Sequence, residues 1–121
     1  MVYTGSEGEV PYYFTAPMRV TDMTTDEYVE YDKNNIVEWY SNRLTEEPVI
    51  VHYEMGPWKV SGVEYRFSSE DGTSAFQGYH YMVPYGENGR HMSWTAFFDV
   101  NDTGTPKDMH HAMESFRLLA D

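Results

Sequence analysis

The chain has no cysteine. That one absence removes disulfide bridges, thiolate zinc sites, iron–sulfur clusters and cysteine nucleophiles together. It leaves the compartment open, because a cysteine-free chain suits either redox environment. Long apolar runs are lacking as well: no stretch approaches the roughly 18 to 20 apolar residues that a membrane-crossing helix needs. Positive charge is scarce, with 8 Lys and Arg against 20 Asp and Glu and a formal net charge of −12. Such a field repels nucleic-acid phosphates and anionic membranes, and no Lys or Arg cluster offsets it, so direct nucleic-acid binding is not expected. A basic protein partner, bound cations or solubility alone would each account for the acidity.

What is present is aromatic and β-branched. Of 121 residues, 40% are hydrophobic and 17% aromatic, which argues against disorder, and the length is that of one domain with a single core. Residues 1–9 are polar and read as a flexible tail, leaving 10–121 as one domain. Met1 to Pro11 has neither a basic start nor an apolar core, so no export signal is read there. A cytoplasmic location is the default, and an exported protein or lipoprotein ectodomain is the reading if the chain is a piece of a longer one.

Hydrophobic periodicity places the elements. Val10 to Phe14 forms a first short strand that ends near Pro17, and Pro11 places it at a sheet edge or starts it after that residue. Thr24 and Glu27 make a capping box that opens a long helix, from about Thr25 to Arg43. Val29, Ile36, Tyr40, Val37 and Leu44 form its apolar side, and Glu30, Asp32, Lys33, Asn34 and Glu38 its wet side, with Asn34-Asn35 as a weak middle. Val49 to Tyr53 is a β-branched strand, and Trp58 to Phe67 is a second with one wet face. The strongest stretch is Ser74 to Leu119. Phe76, Gly78, His80 and Met82 alternate along one strand, and Met92, Trp94, Ala96 and Phe98 along the next, around the turn Tyr85-Gly86-Glu87-Asn88-Gly89. Centring the turn on Glu87 pairs Met82 with Met92, His80 with Trp94 and Phe76 with Phe98, which gathers the two apolar rows on one face. Thr105-Pro106 then reads as the N-cap and first position of a closing helix, whose stripe Met109, Ala112, Met113, Phe116, Ala120 packs on that face. The order β-α-β-β-β-β-α with short loops predicts an α+β domain: an antiparallel sheet of four to five strands with one long N-terminal and one C-terminal helix packed on it.

The capped helix after a short strand, the run of hairpins and the ending Met109-His110-His111-Ala112-Met113-Glu114-Ser115-Phe116-Arg117, with its Ser-Phe, resemble the PsbP-like fold family over roughly Val10 to Leu119. That family includes photosystem extrinsic subunits, a Ran-binding import factor, bacterial lipoproteins and secretion-system chaperones. The resemblance implies a non-catalytic, protein-binding role and carries over no catalytic residue.

Chemistry-bearing patterns are thin. His110 and His111 are adjacent on a helix and point about 100° apart, so they cannot chelate one ion together. His80 and His91 fall on opposite faces in the register above. Glu64 and Asp99 could serve as acid and base only if the fold joined them. Asp99 to Gly104 has the oxygens of a calcium loop without its spacing or closing Glu. Gly-x-Ser-x-Gly and Ser-x-x-Lys are both absent, and Gly86 to Gly89 is a hairpin turn rather than a phosphate loop. No catalytic, cofactor or metal residue is assigned, and the chain is read as a non-enzyme. The candidate site is a surface: Tyr79, Tyr81 and Val83, joined by Tyr65, on the sheet face opposite Trp94. If the first helix covers that face they are core, and if not they form a tyrosine-rich site for a protein or peptide. The expected function is binding a protein partner through that face or an acidic helix side. The alternatives are an acidic decoy for a nucleic-acid-binding protein, marked by a row of carboxylates at phosphate-like spacing, and a small ligand-binding or enzymatic cup. Trp39 and Trp58 are expected to be buried.

Overall fold

The capping box forms as its spacing predicts: the Thr24 hydroxyl accepts from the Glu27 N–H, and the Glu27 carboxylate accepts from the Thr24 N–H. It opens the first helix of a computed structural model that describes residues 12–86 and 88–117. The expected tail, Ala120 and the turn centre Glu87 lie outside those residues. The elements are β1 (Tyr12–Arg19), α1 (Thr25–Tyr40), β2 (Val49–Met55), β3 (Trp58–Ser68), β4 (Ala75–Pro84), β5 (Arg90–Asp99) and α2 (Gly104–Ser115), with a 3-10 turn at Ser41–Arg43 after α1. The strands form one antiparallel sheet in the order β1-β5-β4-β3-β2. The fold is therefore α+β, with five strands and a helix against each face. α1 runs 16 residues without a break at Asn34-Asn35.

The β4–β5 register differs from the expected one by one residue. Tyr81 pairs with Trp94, Met82 with Ser93 and Phe76 with Asp99. The Tyr85 N–H donates to the Arg90 carbonyl and closes a four-residue loop over 86–89, with Gly86, Asn88 and Gly89 at positive φ. An even loop shifts the pairing that centring on Glu87 implies. Hydrophobic alternation had no power to choose, because β4 carries aromatic or apolar residues on both faces and is buried on both. Gly89 tolerates no side chain, since a Cβ there would collide with the Val20 carbonyl.

This shift reassigns the two faces. Tyr79, Tyr81 and Val83 lie with Trp94, Ala96 and Phe98 beneath α2, whose Met109 and Met113 complete a core with Met55 and Val60. His80 and Met82 turn to the α1 side, where Met82 packs with Val29, Ile36, Val63 and Val20. His91 is on that side too, so the two histidines share a face, four register positions apart, instead of opposing one another.

Other local expectations change as well. Asp32, expected to be wet, is 3% exposed, because Val29, Asp32, Ile36 and Tyr40 form the inward row of α1. Trp39 and Val37, expected on the buried side, are 66% and 43% exposed. Trp58 is half-buried, its indole N–H donating to the Phe116 carbonyl at 2.9 Å. The N-cap position of α2 is Thr103 and not Thr105, and the first turn is held by Asp102 just before it, whose carboxylate accepts from the N–H groups of Gly104 and Thr105 and from the Thr105 hydroxyl. Those bonds hold the Asp102 carboxyl below its usual range.

Candidate functional site

The four residues expected to form a tyrosine surface are not brought together. Tyr81 is fully buried and Val83 nearly so. Tyr79 is half-buried, edge-on to Phe98 at 5.1 Å and stacked on the His110 ring of α2 at 5.8 Å. Tyr65 is on the opposite face, its ring lying over Gly78 and packed 5.3 Å from Tyr40. The core alternative therefore holds for Tyr81 and Val83, with the correction that α2 covers them and α1 does not.

Beneath α2, Glu64 gathers the tyrosine hydroxyls. Its Oε2 accepts from Tyr53 at 2.8 Å and from Tyr81 at 2.6 Å. Burial, and then the bond to Glu64, push both phenols above the ordinary tyrosine value, so they stay neutral donors. His110 sits beside them with a buried Nε2 that has no hydrogen-bond partner among the described residues, and burial lowers its pKa. Asp99 lies exposed at the end of β5, paired with Phe76 on the other face, so Glu64 and Asp99 form no acid–base pair. The oxygens of the Asp99–Gly104 loop cap the chain locally, Asp99 accepting from the Asn101 N–H.

The face under α1 is different in kind, because the helix crosses it diagonally. At its first turn the Thr25 hydroxyl lies 2.9 Å from His91 Nε2 on β5. At its middle Asp32 pairs with His80 Nδ1 on β4. At its last turn the Tyr40 ring lies 4.3 Å from Phe67 on β3. On this face the Tyr12–Phe14 half of β1 and the far half of β5 are thus left beside the helix rather than under it among the described residues, while Met18, further along β1, packs against the α1 core. The uncovered floor is aromatic and half-buried: Tyr12 against Phe97 at 5.6 Å, Phe97 against Phe76 at 4.8 Å, and Phe14 beyond Tyr12, with Thr95 between them and His80. On α1, Trp39 stands exposed.

Asp32 is a carboxylate in an otherwise apolar helix row, and burying it unpaired would cost several kcal/mol. The contact with His80 satisfies it and fixes the ring, with Nδ1 towards α1. An oriented histidine is the beginning of a general base. The register partner of His80 on β5 is Thr95, and among the described residues there is no group of three His, Cys, Asp or Glu able to hold a metal ion. Burial, helped by Tyr40, pushes the hydroxyls of Tyr12 and Tyr65 upward, so this floor is uncharged at neutral pH.

The signal for Asp32 was in the sequence: with Val29 and Ile36 it falls on the 3- and 4-residue spacing of one helix face. The open floor had no such signal, since strand alternation does not tell which part of a face a helix will cover. At the far end of the sheet, Arg19, Thr24, Arg90 and His91 line an open cleft of about 650 Å³ that holds none of the expected residues. No family model matches the chain, and no curated protein matches it.

Proposed function

We propose that this protein is a non-enzymatic binding domain whose contact surface is the aromatic floor left open beside α1. One observation carries the reading: α1 crosses from β5 to β3 and leaves Tyr12, Phe14 and Phe97 half-buried with no helix above them among the described residues. Half-buried aromatics offer large contact area at low entropic cost, as binding surfaces do. The partner is a protein with apolar side chains for the floor and basic groups for the surroundings. The net charge of −12 favours such a partner, and α1 adds exposed Glu27, Glu30 and Glu38 interleaved with Tyr31, Asn34 and Val37. That interleaving does not give the unbroken row of charge that a nucleic-acid mimic needs. The resemblance to the PsbP-like family, with its non-catalytic protein binders, points the same way.

The test compares capture from the source lysate by the wild-type chain and by Phe14→Ser and Trp39→Ala, each checked for unchanged melting. A specific protein retained by the wild type and lost from both variants, with retention weakened by salt, supports the proposal. Identical retention by all three chains would sink it.

A further inference from the structure

The two edges of the sheet are unlike one another. β1 is blunted: Pro17 lies within it and offers no N–H, and Arg19 ends it. β2, Val-Ile-Val-His-Tyr-Glu-Met, has neither proline nor lysine, and its outer side pairs with no strand among the described residues. It also exposes apolar surface, with Val49 53% and Tyr53 38% exposed. Both point to the α2 side of the sheet, and they stand two residues either side of Val51.

We propose that β2 pairs antiparallel with β2 of a second copy of this chain, about a two-fold axis at Val51. In that register each Val49 meets Tyr53 of the other copy, so each exposed apolar residue covers the other. Ile50 meets His52 on the opposite face, and Glu54 falls opposite Pro48, so no carboxylate of the strand faces another. A two-fold axis at His52 would set Glu54 against Ile50. An axis at Ile50 would set Tyr53 against Glu47. The contact is the same patch on both copies, so it closes at two and does not grow into a filament. It joins the two five-stranded sheets into one continuous sheet and satisfies the row of open N–H and C=O groups along the edge. Because each copy carries −12, the pair forms against long-range repulsion and tightens as salt screens it. The floor beside β1 lies at the far edge and stays free in the dimer, so this inference does not depend on the proposed function.

The absence of cysteine makes a direct test simple. Val51→Cys, His52→Cys and, as a control on the helix, Tyr31→Cys are each oxidised mildly, and disulfide-linked dimer is measured over time. Directly opposed strand residues bring their Cβ atoms within reach of a disulfide. Sedimentation of the unmodified chain is followed up to high-micromolar concentration at low and high salt. The expected result is a concentration-dependent dimer, tighter at high salt, with Val51→Cys cross-linking fastest of the three. Val49→Lys, at an exposed position that leaves the fold intact, should weaken the dimer about tenfold or more, a loss of about 1.4 kcal/mol. A monomer at every concentration and salt, or cross-linking no faster at Val51 than at Tyr31, overturns the proposal. Faster cross-linking at His52 than at Val51 overturns the register.

Discussion

Beneath α2 the sheet presents Tyr81, Val83, Trp94, Ala96 and Phe98, all buried, with Met109 and Met113 pressed onto them. Beneath α1 the same two strands bury Met82, Ser93 and His91 along the helix but leave His80, Thr95 and Phe97 half-buried beside it, and the helix contributes a buried carboxylate. One face is a lid on a dry core, and the other is a strut across a partly open floor. The difference lies in the direction of the helix over the strands more than in composition, since both faces are rich in aromatics. A face can be closed for stability or left open for contact, and this sheet does one on each side.

The largest expected effect separates the two directly. Met113→Ala, on the closed face, should cost about 2 to 5 kcal/mol in chemical denaturation. Phe14→Ala, on the open floor, should cost clearly less, because solvent already reaches part of the ring. Equal costs would mean that the floor is as closed as the core.

Next comes the polar pair. His80→Leu leaves Asp32 buried without its partner and should cost about 1 to 3 kcal/mol. Replacing both, as Asp32→Leu with His80→Leu, should recover much of that loss, since replacing both partners of a buried polar contact by apolar groups is often nearly neutral. A double variant no better than the single one would mean that the pair stabilises the fold in its own right.

A smaller, pH-dependent effect belongs to the closed face. Burial lowers the pKa of His110 from 6.5, so the unfolded chain takes up its proton first as the pH falls. Its contribution is whole above about 6.5 and is lost as the pH drops from there through the lowered folded value. Melting temperature followed from pH 7.5 to 5 should therefore fall more for the wild type than for His110→Phe, which keeps the stacking on Tyr79. Parallel curves would show that the ring is not held neutral by burial.

The smallest effect on stability is expected on the exposed side of α1. Trp39→Ala should move the melting midpoint by no more than the equivalent of about 0.5 kcal/mol, as surface substitutions do, while abolishing partner capture. A large destabilisation would make Trp39 part of the core of the helix contact instead of a contact residue.

The sequence was sufficient for the elements themselves and for their order. Period-two runs, the Thr24–Glu27 capping box and the glycine-rich turns are local signals, and each of the seven elements overlaps one, although β1 runs through Pro17 to Arg19 instead of stopping at Phe14 and α1 ends at Tyr40 instead of Arg43. The antiparallel α+β class follows from the short loops. The faces were decided only by the tertiary structure. β4 is apolar or aromatic on both sides, so alternation could not say which row meets Trp94, and one hydrogen bond between Tyr85 and Arg90 settled the register. That choice moved Tyr79, Tyr81 and Val83 under α2 and His80 to the other side, and the separate β3–β4 pairing of Tyr65 with Gly78 placed Tyr65 there too. The diagonal of α1 was likewise beyond local reading. Val29, Asp32, Ile36 and Tyr40 mark an inward row, but which strands that row would cross depends on where the sheet's own side chains leave room for it. An isolated segment carries its period and its caps. Which surface another element will cover is a property of the whole chain packed together, and the open floor exists only at that level.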